Sequence, residues 1–361
     1  QAAADCGQGE KVTELAGLAL KNGAGLVYGI PAGTDYEDAF VTLEGLEDVV
    51  AISSCLTNKA AVTSDGALYI WGGNKSGQLG LTNDNNPHPS PVKIERLNSV
   101  RSVALGYLSY ETYVLALLTD GTVWALGSNR FGGLGGGQNP YQVAIEPLQI
   151  EGLENITAVL SGGGSCFALC GDGTVWSWGH NSDGQLGYTK NISVTSGASS
   201  SSYKPQKMVG LTDITTLACG SDYTLALDKD GALWACGLNY YGDFGNKPPL
   251  YNSNGISPAI HIDDVSQPAV GVAIGSRSIL LMEDGTIQSP GGSSSDIPDY
   301  FRPMEYEDGL PFYADRYPLR ITAQPGGNTT GLSTGLYQAG EELTVYAVPE
   351  LGSSWAGWSG E

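Results

Sequence analysis

The chain has 361 residues, of which 52 are glycine and only 15% are charged, so it is long enough to bury a large core and rich in turn residues. That composition points to an all-β protein. A net charge of −21, with a pI of about 4.3, repels phosphate backbones and anionic lipid, which excludes nucleic acid as an ordinary partner.

The chain starts at Gln1 without methionine, so a processed protein or a fragment is expected. Residues 8 to 20 place Val12, Leu15, Ala16 and Ala19 at helical spacing, yet they also fit a strand, and periodicity alone does not separate the two in so short a run. Asn22-Gly23 then stands where a hairpin turn would. From Asp65 a stronger pattern begins: Asp-Gly, an aromatic strand, then Asn-x-x-Gly-x-(Leu/Phe)-Gly. It returns at Asp120, Asp172 and Asp230, and Asp284 keeps only its head, with intervals of 52 to 58 residues. One supersecondary unit is being repeated.

Asp-Gly between two apolar runs is a strong hairpin signal, because the turn needs the positive φ that these residues tolerate. Asn74, Asn129, Asn181 and Asn239 are expected to bond local backbone groups at a fixed corner, with Gly77, Gly132, Gly184 and Gly242 permitting the turn. Leu79, Leu134, Leu186 and Phe244 should tuck back inside. Trp71, Trp124, Trp176, Trp178 and Trp234 read as contacts between neighbouring units. The longest apolar run, Val114 to Leu118, falls far short of the roughly 20 residues a spanning helix needs, so no membrane insertion is expected.

These copies resemble the regulator of chromosome condensation repeat, over roughly residues 11 to 292. The resemblance implies a β-propeller of about six to seven four-stranded blades, usually seven. The histidine common before the second strand of such repeats is replaced here, as at Cys166 and Tyr223. The propeller is expected to fill residues 1–292. An acidic connector over 293–318 comes next, lending a strand to close the ring. Residues 319–361, with Gly331, Gly335, Tyr337, Gly340, Pro349 and Trp358-Ser359-Gly360, resemble part of an internalin-type B repeat, a small β module of bacterial surface proteins, cut short at Glu361.

Chemistry is sparse. The six cysteines contain no Cys-x-x-Cys pair, which leaves buried thiols or a disulfide, and Cys166 and Cys170 are too far apart on one strand to bridge. His88 reads as a residue of a proline-rich loop, His180 as a solvent-facing turn residue, and His261 stands apart from both. Gly331 to Gly335 spells a nucleophile elbow without the helix that motif requires. Residues 83–86 and 181–184 look like calcium loops but lack the glutamate an EF-hand needs. No enzyme activity, cofactor or metal is expected.

What differs between copies is more informative. The segments 81–96, 136–151, 188–209 and 246–261 fill one slot of the repeat, so they should emerge on one face of the ring. They carry Tyr141, Tyr188, Tyr203 and Tyr251, flanked by Tyr240 and Tyr241, on Ser-, Gly- and Asn-rich loops of the kind that bind partners. Tyr107, Tyr110, Ser165 and Tyr223, where the chain leaves each first strand, form a second candidate surface. The expected function is a secreted or cell-surface recognition scaffold, monomeric, binding a protein or a glycan. An inhibitor of an extracellular enzyme is the alternative, because the repeat family includes a β-lactamase inhibitory protein.

Overall fold

A computed structural model describes residues 46–137, 139–188, 201–239, 242–244, 255–263, 265, 267–274 and 278–290, and the backbone alone of the strands outside them. Six four-stranded antiparallel sheets follow one another, over 12–42, 49–93, 100–149, 156–207, 214–261 and 269–303, each with its strands side by side in chain order. They are the blades of a propeller, numbered 1 to 6 here. Val12–Leu15 and Leu18–Lys21 are strands of blade 1, which decides between helix and strand for that segment. The first strands of blades 2 to 6 run beside one another in sequence. No helix occurs among the described residues.

The hydrophobic cores lie between blades and not within them. Blade 2 supplies Val62, Leu68 and Ile70, and blade 3 supplies Val103, Val114 and Leu126, to one cluster. Leu115, Val123 and Leu134 of blade 3 meet Ile156, Cys166 and Trp178 of blade 4 in the next, and the same plan repeats across blades 4 and 5 and blades 5 and 6. A blade therefore buries both of its faces. This is why a second strand such as Ser165–Cys170 is buried at every residue and reads as one continuous apolar run with no alternation.

The fourth strands are different. In blades 2 to 5 they are half-buried or exposed at all but a few residues, and in blades 2 to 6 each carries proline within or at its end: Pro89 and Pro91, Pro147, Pro205, Pro258 and Pro303. Proline cannot donate to a ladder, so it is tolerated on an edge and blocks pairing with another chain. The segments expected to be loops are thus half strand: 81–96 contains His88–Lys93, 136–151 contains Val143–Gln149, and 246–261 contains Ile256–His261. Phe301–Pro303, inside the expected connector, is the fourth strand of blade 6. Beyond it, Arg316–Leu319 pairs with Gly335–Gln338, and Gly327–Thr330 pairs with Tyr346–Pro349.

The Asp-Gly turns dock each blade on the next. Gly66 N–H closes its own turn on Thr63, while the Gly66 carbonyl accepts from Val100 N–H of blade 3. Gly173 and Gly231 make the same bond to Ile214 and Ala269. Gly173 has φ +79°, and a Cβ there would sit 2.6 Å from the Asp213 Cα, so glycine is required twice over. The residue before the first strand of blades 2 to 5, Asp48, Ser99, Asn155 or Asp213, is itself left-handed, with φ of 50° to 59°. Asn and Asp bear that conformation best.

Candidate recognition face

In an antiparallel sheet whose strands lie in chain order, the turn after the first strand and the connection after the third leave at the same end. Direct bonds tie them together: Gly73 N–H donates to Thr57 O, His180 N–H to Gly164 O, and Leu238 N–H to Asp222 O. The two surfaces that the sequence offered as alternatives are one face. The Asp-Gly turns lie on the opposite one.

Each third-strand exit is held by its corner asparagine. Asn74, Asn129, Asn181 and Asn239 accept, through Oδ1, the N–H five residues on, at 3.2, 3.1, 2.9 and 3.2 Å. All four are buried, as are Leu79, Leu134, Leu186 and Phe244, which receive the clamp. Trp178 is buried against blade 3 and donates to Gly133 O at 3.2 Å. Trp71 is buried too, whereas Trp124, Trp176 and Trp234 are only half-buried at the margins of the inter-blade clusters.

The tyrosines separate into two kinds. Tyr110 is 75% exposed and Tyr141 is 89% exposed, with Leu56 at 81% on the neighbouring turn of blade 2. Tyr107 stands edge-on to Tyr110, ring centroids 6.5 Å apart. Ser109 and Tyr110 are left-handed, φ 50° and 70°, a conformation that costs a bulky residue about 1–2 kcal/mol and holds the ring outward. Tyr203 is half-buried, and its hydroxyl donates to Arg130 O at 3.1 Å.

Tyr188, expected on the binding surface, is instead a core residue. It is buried between blades 4 and 5, and its hydroxyl donates to the Ser177 carbonyl. Burial pushes it up to about 12. Ser165 and Tyr223 are likewise interior: Ser165 Oγ donates to His180 O at 2.7 Å, and Tyr223 reaches Ser278 Oγ of blade 6 at 3.0 Å. Tyr113 does the same between blades 3 and 4, 2.8 Å from Ser161 Oγ and donating to Ser165 O at 3.1 Å. No sequence signal marked that bridge. Tyr240, Tyr241 and Tyr251 lie outside the described residues.

The histidines also differ from expectation. His88 opens the fourth strand of blade 2, with Nε2 3.3 Å from Asp84 Oδ1. His261 is on the fourth strand of blade 5, with Nδ1 2.6 Å from Asp263 Oδ1. His180 is half-buried and not solvent-facing; Gln185 Nε2 donates to its Nδ1 at 3.2 Å, and Phe131 meets the ring edge-on at 5.7 Å. Burial pushes its pKa down, with Asp183 and Asp222 opposing. Desolvation first, then Asp183, pushes the Asp222 carboxyl up.

Among the described residues, Cys55, Cys166, Cys170, Cys219 and Cys236 are free thiols, and no group of three or more His, Cys, Asp or Glu is placed to hold a metal ion. No described helix is long and apolar enough to cross a membrane.

The regulator of chromosome condensation (RCC1) repeat model matches residues 65–108, 120–169 and 172–227, and a second model of the same repeat matches 214–243. The chain folds as a β-propeller and carries RCC1 repeats between residues 65 and 243. The three repeats matched by the first model start at the Asp-Gly turns of Asp65, Asp120 and Asp172 and run into the next blade, so there sequence repeat and blade are offset by about half a sheet. The chain is similar to the probable E3 ubiquitin-protein ligase HERC6 of Homo sapiens, 32% identical over 206 residues that make up 55% of this chain and 19% of that one. It is also similar to the mitochondrial RCC1 domain-containing protein RUG3 of Arabidopsis thaliana, 30% identical over 246 residues, 66% of this chain and 52% of that one. The chain thus spans about half or less of these relatives. The solved Prp20p of Saccharomyces cerevisiae shares the fold, with a TM-score of 0.65 at 21% identity over 83% of this chain and 76% of that one.

Proposed function

We propose that this RCC1-repeat propeller is a non-catalytic recognition scaffold that binds a protein partner across the face formed by its first-strand turns and third-strand exits. The observation that carries the reading is the exposure of Leu56, Tyr110 and Tyr141 on that face, Tyr110 from a left-handed turn. Exposed tyrosine on a fixed backbone loses little entropy on binding and is enriched at interfaces. Prp20p, which shares the fold, is described by its binding to Gsp1p and histones, and that supports a protein as the partner class. The net charge of −21 argues against nucleic acid.

The location belongs to the same proposal. The likeness of residues 319–361 to a B repeat supports a chain displayed outside a bacterial cell, with that module as spacer. Prolines on the outer strands support a monomer. The test pairs Tyr110→Ala/Tyr141→Ala with Glu95→Ala/Glu151→Ala on the opposite face and compares both, as immobilised proteins, with the parent for retention of extracellular proteins. A partner kept by the glutamate variant and lost by the tyrosine variant is the expected result. Retention by the tyrosine variant overturns the reading.

A further inference from the structure

Each blade has a trailing face, the one turned toward the next blade, and in blades 2 to 5 that face is an interface. In blade 5, Leu227 pairs across from Leu233, and both, with Leu225, are 0–1% exposed beneath blade 6. Val62, Leu117 and Leu169 hold the position of Leu227 in blades 2, 3 and 4 and are buried in the same way. The counterparts in blade 6 are Ile279, Leu281 and Ile287, with Leu281 across from Ile287. Ile279 is 37% exposed, and the other two are only half-buried.

Two further parts of that interface stand unfilled. The Gly66, Gly173 and Gly231 carbonyls each accept the first-strand N–H of the next blade, whereas the Gly285 carbonyl accepts no backbone N–H among the described residues. Leu79, Leu134, Leu186 and Phe244 add a corner residue to the trailing clusters of blades 2 to 5, and the sequence of blade 6 has no Asn-x-x-Gly-x-(Leu/Phe)-Gly corner. A repeat that ends an array turns a polar face outward, because nothing else covers it. Blade 6 turns isoleucine and leucine outward, as a blade with a successor does.

The order of the chain says what that successor is. Residues 94–99, 150–155, 208–213 and 262–268 carry it from each fourth strand to the first strand of the next blade, and residues 304–315 carry it from Phe301–Pro303 to Arg316–Leu319. That last connection reaches about 40 Å when extended, against the roughly 10 Å between packed sheets. Four strands follow, as four do in a blade: Arg316–Leu319 pairs with Gly335–Gln338, and Gly327–Thr330 pairs with Tyr346–Pro349. A sheet of two strands is not stable by itself and needs an apolar surface to pack on. In the first of these sheets Tyr317 stands directly across from Tyr337.

We propose that residues 316–349 dock on the trailing face of blade 6, over Ile279, Leu281 and Ile287, and stand there in place of a further blade. The tether keeps the module near that face at an effective concentration on the order of millimolar, so even a weak apolar contact is populated. This docking is independent of the recognition reading, and it gives the C-terminal spacer a fixed seat on the propeller.

The experiment places a protease site within residues 304–315 of the whole chain, so that the module is released only after folding. Ile279→Cys is labelled with a maleimide before and after the cut, with Leu56→Cys, an 81% exposed position on blade 2, as control. Peptide mass spectrometry reads the labelled position, and circular dichroism checks that both variants fold. Labelling of Ile279→Cys should quicken at least about tenfold once the module is cut and diluted away, with Leu56→Cys unchanged. Hydrogen exchange over Ser278–Met282 repeats the comparison in the chain with neither cysteine introduced, and protection there should fall on release. Rates that are fast and equal before and after the cut overturn the docking. Slow labelling that survives release gives the face to blade 1, and slow labelling that quickens when the uncut chain is diluted gives it to a second copy; either result overturns the proposal.

Discussion

Replacing Asn129 with alanine tests whether the corner clamp holds the recognition loops. Asn129 is fully buried, accepts Leu134 N–H at 3.1 Å, and donates from Nδ2 to Gly137 O at 3.3 Å and Asn139 O at 3.0 Å. Alanine removes all three bonds. The carbonyls lie near the surface and turn to water, at about 0.5–1 kcal/mol each, while the buried Leu134 N–H is left without an acceptor, at about 1–3 kcal/mol. The sum is about 3 kcal/mol, expressed locally. Native-state hydrogen exchange is the suitable assay, because an array of blades need not unfold in one step. Gly132 and Gly135 are the reporters, since their amides bond to backbone oxygens of Asn129 and Gly132 that the substitution leaves in place. Their protection should drop roughly a hundredfold. Asn139→Ala, which removes only an exposed bond from Tyr141 N–H, should cost less than about 1 kcal/mol. Protection at Gly132 and Gly135 within about threefold of the parent in Asn129→Ala would refute the clamp.

Two further outcomes follow from burial and backbone. Gly173→Ala and Gly152→Ala both force a side chain into positive φ, +79° and +82°, but a Cβ meets the Asp213 Cα at 2.6 Å in the first case and nothing within 4 Å in the second. Gly152→Ala should cost about 1–2 kcal/mol in denaturant titration and Gly173→Ala clearly more; equal losses would remove the inter-blade docking role of the Asp-Gly turn. The second concerns alkaline pH. Burial raises Tyr188, Tyr223 and the Cys236 thiol to about 12 from ordinary values of 10.0, 10.0 and 9.0. Between those values the unfolded chain has released protons that the folded chain keeps. Stability is therefore intact below pH about 9 and falls as pH rises toward about 12, by about 1.4 kcal/mol per pH unit for each group. Denaturation midpoints that stay flat or rise over this window would contradict the burial of these groups.

The fold was legible where its determinants are local. Asp-Gly turns, corner asparagines and their apolar followers each act within a few residues, and the structure has them bonded and buried as read. The fourth strands were not legible, because proline and exposure strip them of alternation and leave the look of loops. Tyr188 misled for a related reason: it follows the corner directly, and only the approach of blade 5 encloses it. The union of the two candidate surfaces is a property of strand order, which no residue encodes by itself. His180 owes its half-burial to Phe131 from the preceding blade, nearly 50 positions away in sequence and 5.7 Å away in space.

The corner clamp also separates two kinds of evolutionary freedom. The glycine ending the third strand pairs with His88 across from Gly72, with Ser202 across from Gly179, and with Ile256 across from Gly237. The stretch between those partners differs in length from blade to blade, yet the chain returns to the same pairing each time. Because the asparagine and the buried apolar residue five positions on close the corner first, the part of that stretch beyond them, and in blade 4 beyond the buried Tyr188, can be lengthened, shortened or rewritten without disturbing the inter-blade cores. A lineage of such chains changes its target by editing inserts, and a protein engineer has the same entry point: foreign segments placed between the clamp and the fourth strand meet a scaffold already indifferent to their length.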